Sequence, residues 1–188
     1  MEPLLETRLA QILTHYQQAF EAKVQPSEMG KSDVLMEIFG ITPAMKQENR
    51  QYWGRELGMC WQRLVMEVFQ NAHPGYGAAL KFEQDEPCDF TLDTWAIDTK
   101  YRIGSGDSGT LKKFKAYGQL LQDQGYQPIL LILRDDNLAS AIQACRKGGW
   151  QIYTDQATFD FIQQHSQLDF RAYLTEKAAT YAKPRPKA

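Results

Sequence analysis

Long apolar runs are missing from this 188-residue chain. None approaches the roughly 18 residues that a bilayer-spanning helix needs, which excludes a membrane span. The opening, Met1-Glu2-Pro3, has no basic segment of the kind that starts a secretory leader, so no leader is expected. Cysteine is scarce: Cys60, Cys88 and Cys145 are scattered and odd in number, with no C-x-x-C pair. That excludes a disulfide framework and the spacing of a zinc site, and reads as reduced thiols in a cytoplasmic protein. The three histidines, His15, His73 and His165, share no segment and form no H-E-x-x-H, so each reads as a surface or packing residue. A surplus of positive charge is also absent. The net charge is −2, so contact with nucleic acid has to rest on a local patch. One such patch holds Lys100, Arg102, Lys112, Lys113 and Lys115 against Asp98 and Asp107; another is the tail around 177–187.

What is present is a patterned chain with enough apolar residues, 43%, to build a core. Its length fits one domain over 1–182, followed by a basic tail at 183–188. Leu5, Leu9, Ile12, Leu13 and Tyr16 recur at helical spacing and predict a helix over 3–23. A short helix over 33–39 follows, capped by Ser32 and stopped by Gly40. Thr42-Pro43 is a helix start, and the helix behind it is expected to run to residue 71. Its stripe is Trp53, Leu57, Cys60, Leu64 and Val68, with Trp61 and Val65 beside it. A strand is expected over 78–82, and the acidic residues Glu83, Asp85 and Glu86 form a solvated turn. Strands 89–92 and 95–103 make a hairpin about Asp93-Thr94. A glycine loop at 104–109 leads into a helix over 110–123. The aliphatic run 129–133 predicts a central strand covered on both faces. A helix near 138–147, a strand over 150–153, a helix to 164 and a last helix over 169–182 complete the chain. The expectation is an α/β fold: a mixed central sheet flanked by helices, with an α-β-β-β-α-β core over about 43–133 and helical additions at both ends.

The chemistry gathers in residues 87–115, PCDFTLDTWAIDTKYRIGSGDSGTLKKFK. Asp98 and Lys100 stand two apart in a strand, which places both on one face; Ile97, Thr99, Tyr101 and Ile103 take the other. Asp89 comes from the neighbouring strand. Two carboxylates held a few ångströms apart repel, and a hard cation removes that cost. Asp89 and Asp98 are therefore candidate ligands for Mg²⁺, with the backbone carbonyl of Thr99 as a further oxygen. Lys100 is placed to neutralise charge at a phosphate and to orient or deprotonate an attacking water.

The set Asp89…Asp98-Thr99-Lys100, in this order of elements, resembles the PD-(D/E)XK nuclease superfamily. Within it, Tyr101-Arg-Ile-Gly-Ser-Gly-Asp-Ser-Gly-Thr-Leu-Lys-Lys-Phe114 looks most like type II restriction endonucleases, of the ApaLI-like group. The resemblance spans 43–133. It implies Asp89 and Asp98 as metal ligands, Lys100 as the catalytic lysine, and a glutamate from the preceding helix, for which Glu56 is the first candidate and Glu67 the second. It also implies double-stranded DNA as substrate and a homodimer cutting both strands of a short palindrome. Cys88 precedes Asp89 and displaces Pro87 by one, a departure that leaves Asp85 and Glu86 as substitutes for Asp89.

On this reading Lys112, Lys113 and Lys115 line the DNA, with Lys112 and Lys115 on one helix face. Arg102 joins them; Ser105, Asp107 and Ser108 are candidates for reading bases, and Tyr117 and Gln119 for support. Two rival readings stay open. Gly104-Ser-Gly106-Asp-Ser-Gly109 spells G-x-G-x-x-G between strand and helix, as in a nucleotide-binding protein, although the strand before it carries alternating charges. A non-catalytic DNA-binding module on the same fold is the other.

Overall fold

The computed structural model describes residues 3–21, 32–48, 50–104 and 106–181. Ser105 and the tail at 183–188, both named above, lie outside them. The elements are α1 (Pro3–Glu21), α2 (Val34–Ile38), α3 (Pro43–Glu48), α4 (Arg50–Ala72), β1 (Tyr76–Ala78), β2 (Phe90–Leu92), β3 (Trp95–Lys100), α5 (Ser108–Asp123), β4 (Gln127–Ile132), α6 (Ala139–Lys147), β5 (Gln151–Thr154), α7 (Gln156–Ser166) and α8 (Phe170–Tyr181). The fold is mixed α/β. A five-stranded sheet runs in the order β1-β2-β3-β4-β5, antiparallel from β1 to β3 and parallel from β3 to β5.

β4 is the middle of the core. Its residues 128–132 are all buried, and their side chains alternate between two apolar layers. Ile129 and Leu131 face α4, α7 and α8, where Trp61 packs on Phe159 and Phe170. Leu130 and Ile132 face the second layer, with Phe114 and Leu121 of α5 and Ala141 and Cys145 of α6. Parallel strands need crossovers, and α5 and α6 supply them on one face. The other face is covered by α4, whose stripe from Trp53 to Phe69 is 0–2% exposed at Trp53, Leu57, Cys60, Trp61, Leu64, Val65, Val68 and Phe69.

Several local expectations shift. The cap of α2 is Asp33, whose Oδ1 accepts from the Leu35 and Met36 amides at 3.1 Å; Ser32 does not fill that place. The helix expected from Thr42 is helical at every described position, Pro43–Glu48 in α3 and Arg50–Ala72 in α4, with Asn49 outside the described residues. The strand expected at 78–82 lies earlier, at Tyr76–Ala78, because Tyr76 stacks on Phe90 and pairs with Leu92. Phe82 instead closes a tight bridge with Asp85, with Glu83 at φ 55°. Ile103 joins the layer opposite Ile97 and Tyr101. Strand alternation stops at Lys100, where the chain turns and Ile103 takes an amide bond to Asn137 Oδ1 at 2.8 Å. The glycine loop is shorter than expected, since Ser108 and Gly109 belong to α5.

Two glycines test the packing. A Cβ on Gly118 of α5 would lie 2.0 Å from the Gly148 carbonyl oxygen and 2.7 Å from Trp150 Nε1, whereas one on Gly54 of α4 meets nothing within 4 Å. Gly118→Ala is expected to destabilise by about 1–3 kcal/mol through overpacking. Gly54→Ala is expected to be neutral or to stabilise by up to about 1 kcal/mol through helix propensity. Urea unfolding of both variants reads the difference.

Candidate active site at the open end of the β2–β3 hairpin

β2 and β3 separate at the end of the hairpin remote from its turn. The Asp89 amide donates to the Ile97 carbonyl at 2.8 Å, the last backbone rung there. The next amide, Thr99, donates to the Asp89 side chain at Oδ2, 2.7 Å away. Thr99 Oγ1 donates to the same oxygen at 2.6 Å, and Gln62 Nε2 of α4 donates to Oδ1 at 2.7 Å. Asp89 thus sits in the gap between strands, held by three donors from two elements.

Asp98 lies beside it. Its side chain is 13% exposed, and the Lys100 ammonium donates to Oδ1 at 2.7 Å and approaches Oδ2 at 2.6 Å. Lys100 Nζ also donates to the Thr99 carbonyl at 3.1 Å and keeps 36% of its side chain exposed. The strand therefore presents Asp98 and Lys100 together, and the Asp89 carboxylate acts on Asp98 electrostatically. Burial pushes the Asp98 carboxyl up to about 6; Lys100 opposes the rise and Asp89 adds to it. Burial alone would lower the Lys100 ammonium, but Asp98 and Asp89 outweigh it and hold the group above the ordinary lysine value. At neutral pH Lys100 is accordingly a cation. It can balance charge and orient a water, and in this state it cannot take a proton.

Two thiols flank the pair. Burial pushes Cys88 up to about 11 and Cys145 up to about 12, so neither offers a thiolate at neutral pH. Among the described residues, no group of three or more His, Cys, Asp and Glu is arranged to hold a metal ion. The two carboxylates and the Thr99 carbonyl nevertheless suit Mg²⁺, which keeps several waters and takes one or two carboxylates plus substrate phosphates. The chemistry of the donor set favours a fit: Asp89 and Asp98 together offer two carboxylates against the single ammonium of Lys100.

The remaining candidates are scattered. Glu56 pairs with Arg55 at 3.0 Å and contributes electrostatically to Tyr16 and Tyr52. Glu67 is bound by Arg8 at 3.0 Å and Asn71 at 2.9 Å. Asp85 accepts from Tyr117 Oη at 2.5 Å, and Glu86 pairs with Lys81 at 3.0 Å. Asp107 is the cap of α5, accepting from Thr110 N at 2.9 Å and Thr110 Oγ1 at 2.6 Å, and Ser108 is the first residue of that helix. Arg102 donates to the Asp136 carbonyl at 2.8 Å. Lys112, Lys113 and Lys115 are exposed on α5, and Gln119 donates to Asp123 at 2.8 Å.

Sequence reasoning missed two features. One is Gln62, which carries no motif; its only signal is a polar residue beside the buried stripe. The other is a polar cluster behind Lys100. Tyr101 Oη donates to Asp33 Oδ2 and accepts from Lys46 Nζ, while Arg134 Nη1 donates to Asp33 Oδ2 at 2.5 Å and Arg134 Nε to Asp136 Oδ1 at 2.7 Å. Arg134 is 7% exposed, and burial lowers Lys46 to about 8. The cluster ties α2 and α3 to the ends of β3 and β4 and fixes the residue next to Lys100.

The folded midpoint of Asp98 lies above its unfolded value. The native state therefore binds this proton more tightly between about pH 4 and 6, and the group's contribution to stability declines as pH rises through that window. ¹³C-carboxyl NMR is expected to place the Asp98 midpoint near 6. Asp89→Asn is expected to lower it and Lys100→Met to raise it, each by about one unit. A midpoint unmoved by both would separate the three groups. Compared with known proteins, the chain matches no family model, no curated protein and no solved structure.

Proposed function

We propose that this chain is a Mg²⁺-dependent DNA endonuclease of the PD-(D/E)XK kind, and within that a type II restriction enzyme acting as a homodimer on a short palindrome. The observation that carries the reading is the meeting of Asp89, Asp98 and Lys100 where β2 and β3 part. Two carboxylates and an ammonium gathered at one point suit metal-assisted in-line hydrolysis of a phosphodiester. Asp89 and Asp98, with the Thr99 carbonyl, would hold the cation. When bound, Mg²⁺ polarises the phosphate and lowers the pKa of a water. Lys100, with a third of its side chain open to solvent, balances charge on the phosphate and orients the attacking water. The exposed lysines of α5, Lys112, Lys113 and Lys115, supply phosphate contacts that are independent of sequence.

A nucleotide at residues 104–109 is disfavoured. The Asp107 carboxylate already caps the start of α5 and sets a negative charge where a pyrophosphate would lie. Base reading by Asp107 loses support on the same ground. No helix among the described residues is long and apolar enough to cross a membrane, and the three free thiols are compatible with the cytoplasmic setting proposed here.

The test is cleavage of mixed DNA with Mg²⁺. Wild type is expected to give discrete fragments and to stop in EDTA. Asp98→Ala and Lys100→Ala are expected to fold and to lose at least about 10²–10³-fold in rate. Either variant cutting like wild type would sink the site assignment. A wild type that shifts DNA in a gel and never nicks it with any divalent ion would leave the binding-module reading.

A further inference from the structure

Asp89 is oriented from both ends. Thr99 supplies both donors to Oδ2, at 2.7 and 2.6 Å, and Gln62 is the donor found on Oδ1, at 2.7 Å. A carboxylate anchored at one oxygen can still pivot about it. The contact that fixes the plane of this one comes from α4, a helix held rigid at this level by Trp61, Leu64 and Val65, each 0% exposed. The chemistry of the donor also matters. Asp89 and Asp98 carry two negative charges against the one positive charge of Lys100. A lysine or arginine at position 62 would compete with a cation for the carboxylates, and a glutamate would be repelled by them. A neutral amide donates without changing the charge of the site.

We infer that Gln62 is a positioning residue that sets the plane of the Asp89 carboxylate for binding of a divalent cation. This rests on the nuclease reading and goes beyond it, since neither the resemblance nor the acidic pair assigns a role to a glutamine on this helix. Partners that orient a ligand in this way typically change metal affinity or activity by about 10- to 100-fold when removed.

The experiment uses the full chain with Gln62→Met, close in shape but with no donor, and Gln62→Asn, polar but too short to reach Asp89. Mn²⁺ binding is followed by the electron paramagnetic resonance signal of the free ion, alongside thermal melting and steady-state cleavage of DNA. Both variants are expected to melt near wild type, to bind Mn²⁺ about tenfold or more weakly, and to lose kcat while KM for DNA stays within about twofold. A purely structural glutamine would lower the melting temperature and leave Mn²⁺ affinity unchanged. Should one variant fail to fold, the other is read alone. Wild-type Mn²⁺ affinity in a folded variant overturns the inference alone. A wild type that neither binds Mn²⁺ nor nicks DNA overturns the nuclease reading, and this inference with it.

Discussion

The interaction on which the rest depends is the buried ion pair of Asp98 with Lys100, set beside a second carboxylate, Asp89. Two carboxyl groups and one ammonium are gathered where little water reaches. Two unit charges about 4 Å apart interact by about 4 kcal/mol at the effective dielectric of a protein near its surface, so the third group decides whether the second carboxylate is tolerable. Burial outweighs the attraction of Lys100, so Asp98 keeps an affinity for protons well above that of a free aspartate. An arrangement that gains nothing for folding from its own ionisation is a poor structural device and a natural place for a cation.

The scaffold serves to keep those groups together. β3 is pinned on one side by parallel pairing with the buried β4 and on the other by the short β2, whose pairing ends one residue after Asp89. α4 contributes Gln62 from one layer of the core, while α5 and α6 close the other layer over Cys88 and Cys145. Beyond Lys100, the Tyr101–Asp33–Arg134 cluster locks the next residue to α2 and to the end of β4. Lys100 is consequently fixed on its backbone by neighbours on both sides, and its side chain keeps about a third of its surface open.

Much of this was legible in the order of residues. The apolar stripe of α4 and the aliphatic run of β4 each carry a pattern that burial then matches, whereas β3 buries Ala96, Ile97, Asp98 and Thr99 on both faces. Asp98 and Lys100 share one side of that strand through its two-residue repeat. Gln62, whose Nε2 meets Asp89, shows where such reasoning stops. A helix turns 100° per residue, so the six positions between Glu56 and Gln62 move a side chain about 9 Å along the axis and to another face. Which face meets Asp89 depends on how α4 lies against the sheet, and the stripe does not specify that to one residue. The β1 register and the Tyr101 cluster were illegible too. Both depend on pairs far apart in the chain, Tyr76 with Leu92 and Asp33 with Arg134, and neither has a local signal. Asp107 is ambiguous for a different reason: an acidic residue before a helix serves equally as a cap and as a recognition group, and its carboxylate accepts from Thr110.

If the acidic pair is a cation site, the proton that Asp98 holds below about pH 6 and a divalent cation compete for the same charge. The most direct measurement is the ¹³C-carboxyl titration of Asp98 in the wild-type chain, with Mg²⁺ and then with Na⁺ at matched ionic strength. The account predicts that Mg²⁺ moves the midpoint from near 6 down by about one unit or more, and that Na⁺ leaves it in place. A midpoint that Mg²⁺ and Na⁺ leave equally unchanged would contradict it.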